Sequence, residues 1–139
     1  MKQCVIVDTG PLVAFLHRRE AHHGWAGEQF RRFGAPLITC EPVLTEAGFV
    51  HCRLGGEVAE VTGLVHSGAV EVPFRLESEA EAVSLLLRRY KSVPMSLADA
   101  CLVRMAELHP GSSVLTLDSH FRIYRMHDRR MIPTIMPGR

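Results

Sequence analysis

The sequence has no dominant charge, no long apolar run and no cysteine pair spaced for a metal. Its 16 Lys and Arg face 15 Asp and Glu over 139 residues, a formal net charge of +1. That balance removes the simplest mark of a nucleic-acid binder, a strongly basic surface, and equally removes an acidic solvating tail. No stretch reaches the roughly 18 apolar residues of a membrane span. The opening MKQCVIVDTG carries one lysine and a short apolar run cut off by an aspartate, so no signal peptide is expected. Cys4, Cys40, Cys52 and Cys101 form no C-x-x-C pair. Each sits in an apolar context, which predicts reduced core residues in a cytoplasmic protein rather than a disulfide framework. The eight histidines form no H-x-x-x-H, and Gly55-Gly56 lacks the Lys-Ser/Thr of a phosphate loop. Repeats, long linkers and low-complexity tracts are missing as well.

What is present is 47% hydrophobic and 22% charged, the make-up of one soluble globular domain over residues 1–139. A chain of this length buries roughly 68% of its unfolded surface and needs no disulfide or structural metal. QCVIVD (3–8) reads as a strand, and Thr9-Gly10-Pro11 as a helix start placing Leu12, Val13, Phe15 and Leu16 on one face. A second helix is expected over 24–33, burying Trp25, Phe30 and Phe33 and ending at Gly34. PLITC (36–40) is the next strand, followed by helices over 41–54 and 57–65 separated by Gly55-Gly56, and a short strand over 69–72. A helix over 76–90 carries its acids in the first turn, where the helix dipole favours them. Ser96 caps a helix over 97–108 that Pro110-Gly111 ends. SVLTLD (113–118) is a strand, a turn of helix covers 119–124, and MIPTIM (131–136) is a last edge strand carrying Pro133. Strands separated by helices predict an α/β fold, a Rossmann-like sandwich around a mostly parallel sheet.

In such a sheet, chemistry collects beyond the carboxyl ends of the strands. Asp8 and Asp118 each end a strand, Glu46 lies in the first turns of a helix leaving another, and Asp99 is three residues past the cap Ser96. Singly, each acid has an ordinary structural use as a cap, a turn former or a solvated helix residue. Together they form a set of four acids from separate segments on one rim. Two like charges ~4 Å apart repel by about 4 kcal/mol at an effective dielectric of 20, so without a cation at least one keeps a proton. Oxygen donors without nearby His or Cys select Mg²⁺ or Mn²⁺ over zinc. Thr9, Thr116 and Ser119 are placed to hydrogen-bond the carboxylates or position water.

VIVDTGPLVAFL, ITCEPVLTEAGF, SLADACLV and VLTLDSHFRIYR span almost the whole chain in order. With them the sequence resembles the PIN domain family, most closely the short VapC-type toxin ribonucleases of bacterial and archaeal toxin–antitoxin pairs. The resemblance implies a five-stranded sheet of order 3-2-1-4-5 and an endoribonuclease. It assigns Asp8, Glu46, Asp99 and Asp118 to one or two divalent ions, Mg²⁺ or Mn²⁺, with Asp8 and Asp99 the main holders. It also implies a small antitoxin partner and a homodimer packed through the early helices. One position departs: some relatives carry an acid two residues after Asp118, where this chain has His120. Between residues 122 and 139 stand five arginines against Asp128. Of these, Arg122 and Arg125 are the candidates to hold RNA phosphates beside the acids. Setting the four rim acids aside leaves 16 basic against 11 acidic residues, or +5, so the overall neutrality is a sum of opposites.

Two other functions compete. A PIN-fold module binding RNA or protein without cutting would not need four intact acids. A phosphatase or phosphoacceptor using Asp8 as nucleophile would want a second acid just after it or a lysine late in the sheet, and Asp8-Thr9-Gly10 and SVLTLD supply neither.

Overall fold

β1 (Val5–Val7) and β4 (Ser113–Leu115) are buried at every position, as expected for central strands covered on both faces. The computed structural model describes residues 3–138. Along the chain, β1 is followed by α1 (Thr9–Leu16), α2 (His23–Phe33), β2 (Leu37–Ile38), α3 (Glu41–Arg53), α4 (Val58–His66) and β3 (Val70–Glu71). Then come α5 (Leu76–Arg89), α6 (Leu97–Leu108), β4, a 3₁₀ turn (Ser119–Arg122), β5 (Arg125–Met126), β6 (Arg130–Met131) and β7 (Thr134–Ile135). The main sheet has the order β3-β2-β1-β4-β7, and all of its pairings are parallel. Counted by strands of that sheet this is the 3-2-1-4-5 order, with α/β packing of helices around it. Val5 pairs with Ser113, Ile6 with Val114 and Val7 with Leu115. The carboxyl ends of β1 and β4 therefore finish side by side at the centre, where the connections change direction.

Two helix starts bring acids to that edge. Asp8 is the N-cap of α1, accepting from the Thr9 N–H, and Pro11 lies in the first helical turn, where a missing N–H leaves no bond unmade. Ser96 caps α6 in a reciprocal box: its Oγ accepts from the Asp99 N–H, and Asp99 Oδ2 accepts from the Ser96 N–H. Gly10 allows a close approach, since a Cβ there would stand 3.1 Å from Leu117 Cδ1. The start of α1 is thereby pressed against the exit of β4.

The structure differs from the sequence expectations in three places. Only Cys40 and Cys101 are buried in the core; Cys4 is half-buried, and Cys52 is exposed on α3, where its apolar neighbours Phe49, Val50 and Leu54 are exposed with it. Trp25, Phe30 and Phe33 are only partly buried against the core, and the fully buried positions of α2 are Ala26 and Gln29. The expected strand over 131–136 divides at Pro133. Arg130–Met131 joins a separate antiparallel hairpin with β5, and only Thr134–Ile135 pairs with the sheet, on its edge. The hairpin turn puts His127 and Asp128 at φ 50° and 68°, a conformation uncommon outside glycine. Arg89 bonds to both the carboxylate and the carbonyl of Asp128, and Glu107 Oε2 accepts from the His127 N–H at 2.7 Å.

Candidate metal centre

Asp8, Thr9, Gly10, Glu46, Asp99, Leu117, Asp118 and Ser119 line one open cleft of about 430 Å³ at the carboxyl edge of the sheet. All four acids singled out in the sequence thus come together. Asp8 is the deepest, 6% exposed. Its Oδ1 accepts from the Thr9 N–H and its Oδ2 from the Thr116 hydroxyl, both at 2.7 Å. The Thr116 Oγ1 in turn accepts from the Asp118 N–H at 2.9 Å, so one buried hydroxyl fixes two acids relative to each other.

The other three carboxylates are each anchored through one oxygen only. Glu46 Oε2 accepts from the Thr9 hydroxyl at 2.9 Å. Asp99 Oδ2 accepts from the Ser96 N–H at 3.0 Å and from the Tyr124 hydroxyl at 3.3 Å. Asp118 Oδ1 accepts from the His120 N–H at 2.9 Å and lies 2.7 Å from His120 Nδ1. Glu46 Oε1, Asp99 Oδ1 and Asp118 Oδ2 have no hydrogen-bond partner among the described residues. Ser119 lines the cleft but makes no hydrogen bond to these acids among the described residues. Arg122 is exposed on the 3₁₀ turn, and Arg125 Nη1 donates to the carbonyls of Arg122, Ile123 and Tyr124. Neither arginine lines the cleft.

The electrostatics are those of a site short of positive charge. Among the described residues no Lys or Arg pairs with Asp8, Glu46, Asp99 or Asp118; the one ion-pair partner is His120, at Asp118. Burial raises the Asp8 carboxyl to about 6, opposed by the bonds from Thr116 and Thr9 and reinforced by the charges of Asp99 and Asp118. A raised carboxyl pKa was expected among these acids from their mutual repulsion; at Asp8 its main cause is desolvation. Burial and the same two charges push the Tyr124 phenol above its ordinary range, which keeps it a hydrogen-bond donor at neutral pH.

Could these residues hold a divalent cation? The cleft presents carboxylate oxygens and no His or Cys in its lining, which suits a hard cation. Among the described residues no three His, Cys, Asp or Glu side chains are grouped so as to hold a metal ion by themselves. An open ring fits Mg²⁺, which keeps several waters and takes one or two carboxylates rather than an all-protein cage. The buried, unneutralised Asp8 and the three free carboxylate oxygens make the residues present a fit for such an ion.

Replacing Thr116 with valine deletes the Asp8 bond and leaves the Asp118 N–H unpaired, at nearly constant side-chain volume. Loss of a partner that orients ligands of this kind costs about 10–100-fold, and the unpaired buried N–H about 1–3 kcal/mol. Divalent-cation affinity and thermal stability of Thr116→Val, measured by Mn²⁺ titration and thermal unfolding, are expected to fall together by these amounts.

His120 and Tyr124 were not among the candidate site residues. Each contacts a cleft acid, His120 at Asp118 and Tyr124 at Asp99; the imidazole two residues after an acid in LDSHFRIY is a local signal for the first of them.

Comparisons with known proteins agree with the fold. The PIN domain family model matches residues 5–125. A search of curated proteins finds no match. Among solved structures, Mycobacterium tuberculosis VapC20, described as a sarcin–ricin loop cleaving toxin, is similar over 91% of this chain and 98% of its own, with a TM-score of 0.79 at 20% identity.

Proposed function

The chain belongs to the PIN domain family, and from that membership and the acid cleft we propose that it is a Mg²⁺- or Mn²⁺-dependent endoribonuclease, the toxin of a type II toxin–antitoxin pair. The observation that carries this reading is the set of four acids lining one cleft with no Lys or Arg among the described residues to neutralise them. A divalent ion bound there supplies a water of lowered pKa and polarises the scissile phosphate.

The chain's own residues set the geometry. Asp8, held at both oxygens, cannot swing away. Asp99 and Asp118 each keep one oxygen for the ion or its waters, and Glu46 reaches the rim from α3 through its bond to Thr9. No side-chain nucleophile is required. Arg122, exposed on the turn that follows Asp118, holds phosphates beside the cut. Arg125 contributes less, because its guanidinium is occupied by three backbone carbonyls. Arg122→Ala is therefore expected to weaken RNA binding across sequences and reduce the salt slope of log K by about 1, measured by titration at several salt concentrations. An unchanged slope removes Arg122 from the interface.

Protein partners have a surface available. Phe49, Val50, Leu54 and Val58 are exposed large apolar residues along α3 and the start of α4, the composition of a surface that partners cover. An antitoxin and a second copy of the chain are the proposed occupants of the molecule's apolar faces. No helix of the described residues is long and apolar enough to cross a membrane, and the proposed setting is the cytoplasm. Purified protein incubated with total RNA tests the function: defined fragments with Mg²⁺ or Mn²⁺, and none with EDTA.

A further inference from the structure

Asp99 is held by more than its helix cap. Tyr124 is fully buried, and its hydroxyl meets two acceptors, Asp99 Oδ2 at 3.3 Å and the Pro94 carbonyl in the segment before α6. The ring is enclosed by aromatics: Tyr90 edge-on at 5.2 Å, Phe121 edge-on at 5.3 Å, and His120 stacked at 6.4 Å and 22°. Tyr90, the C-cap of α5, is itself fixed, its hydroxyl accepting from the Arg125 N–H at 2.8 Å. Tyr124 thus touches one cleft acid directly and stacks on the imidazole that bonds another.

Its hydroxyl and the Ser96 N–H both converge on Oδ2 of Asp99. The Ser96 N–H and the Tyr124 hydroxyl, whose single proton is shared with the nearer Pro94 carbonyl, both bear on Oδ2, so the carboxylate rotation leaves Oδ1 as the oxygen without a partner among the described residues. Ser96 is part of α6 and would cap that helix with or without a metal site. Tyr124 comes from 25 residues further along the chain and is not needed for the cap.

We propose that Tyr124 is a positioning residue of the acid cleft, orienting Asp99 through its hydroxyl and supporting His120, and through it Asp118, by stacking. The inference rests on the proposed divalent-cation site. Tyr124→Phe removes the hydroxyl and keeps the aromatic cluster. Partners that orient ligands in this way carry about 10–100-fold of metal affinity, so Mn²⁺ binding, followed by calorimetry and by the electron paramagnetic resonance signal of free Mn²⁺, is expected to weaken about tenfold.

Two further variants separate positioning from stability and from the site itself. Tyr90→Phe removes a buried hydroxyl from the same cluster without touching an acid, and its Mn²⁺ affinity is expected to equal the parent's even where its melting temperature falls. Asp99→Asn is expected to lose Mn²⁺ binding, and adding Tyr124→Phe to it to produce no further loss. Parent-like Mn²⁺ affinity in folded Tyr124→Phe, with Asp99→Asn impaired, overturns the role of Tyr124 and leaves the cation site standing. Equal weakening in Tyr90→Phe also overturns it, as a purely structural effect. Parent-like affinity in Asp99→Asn overturns the cation-site assignment and the positioning role with it.

Discussion

Asp8→Asn is expected to abolish RNA cleavage and to make the cation-free protein more stable at pH 7. The loss of activity follows from the position of Asp8, the one acid buried at the base of the cleft and fixed at both oxygens. An amide carries no charge for a cation, and the decrease should exceed the roughly 10–100-fold caused by losing an orienting partner. The gain in stability follows from the same burial. Burial pushes the folded carboxyl up to about 6, above the 3.8 of an exposed aspartate, so the folded chain holds the proton more tightly than the unfolded chain. That favourable contribution is complete below the lower value and is lost as pH rises through the higher one. At pH 7 the ionised side chain therefore costs about 3 kcal/mol in the absence of a cation, at about 1.4 kcal/mol per pKa unit. Asparagine removes that cost while retaining the size of the side chain. Part of the gain is given back by a weaker bond from the Thr9 N–H and by the Thr116 hydroxyl, which faces an amide NH₂ and no longer has Oδ2 to donate to, leaving about 1–2 kcal/mol.

Thermal unfolding from pH 4 to pH 8 checks this directly. The parent is expected to lose stability relative to Asp8→Asn as pH rises through about 6. Parallel stability curves would show that burial of Asp8 carries no such cost. A variant that is inactive but more stable is the mark of a residue kept for chemistry rather than for the fold.

Much of the fold was legible because its central strands are covered on both faces. QCVIVD and SVLTLD read as short strands closed by Asp8 and Asp118, and their adjacency places those acids together. Ser96 and Asp99 were legible for a local reason, since a cap and its partner three residues on form a box within a single turn. The hairpin was not legible. Its turn uses His127 and Asp128 at positive φ instead of glycine, and its supports, Arg89 and Glu107, lie 39 and 20 residues away in sequence. Cys52 shows the same limit from the other side: apolar sequence neighbours do not tell which face of α3 meets the core.

The candidate site divides the same way. The four acids and the hydroxyls of Thr9 and Thr116 could be named from strand ends and helix starts. Which hydroxyl meets which acid could not, because Thr9 crosses to Glu46 and Thr116 to Asp8 over 37 and 108 residues. Arg125 was picked for its charge, yet its guanidinium binds local carbonyls. Tyr124, an aromatic in a basic segment, gave no sign of its contact with Asp99. A raised pKa was anticipated for at least one of the acids without saying which; it falls on Asp8, and burial, which sequence does not report for a polar residue, is its leading cause.

The claim at the centre is that these four acids act through a divalent cation on RNA. Removing the cation is expected to have an effect as large as removing Asp8, because the unneutralised acids repel the phosphodiester backbone that they otherwise hold through the ion. The direct measurement is the rate of RNA fragmentation by the purified, folded protein with Mg²⁺ or Mn²⁺ and again with excess EDTA, with Asp8→Asn alongside. Defined fragments that appear with either metal, disappear with EDTA, return when metal is restored and are missing with Asp8→Asn are the expected result. Equal fragmentation in EDTA, or none with either metal from folded protein, would contradict it.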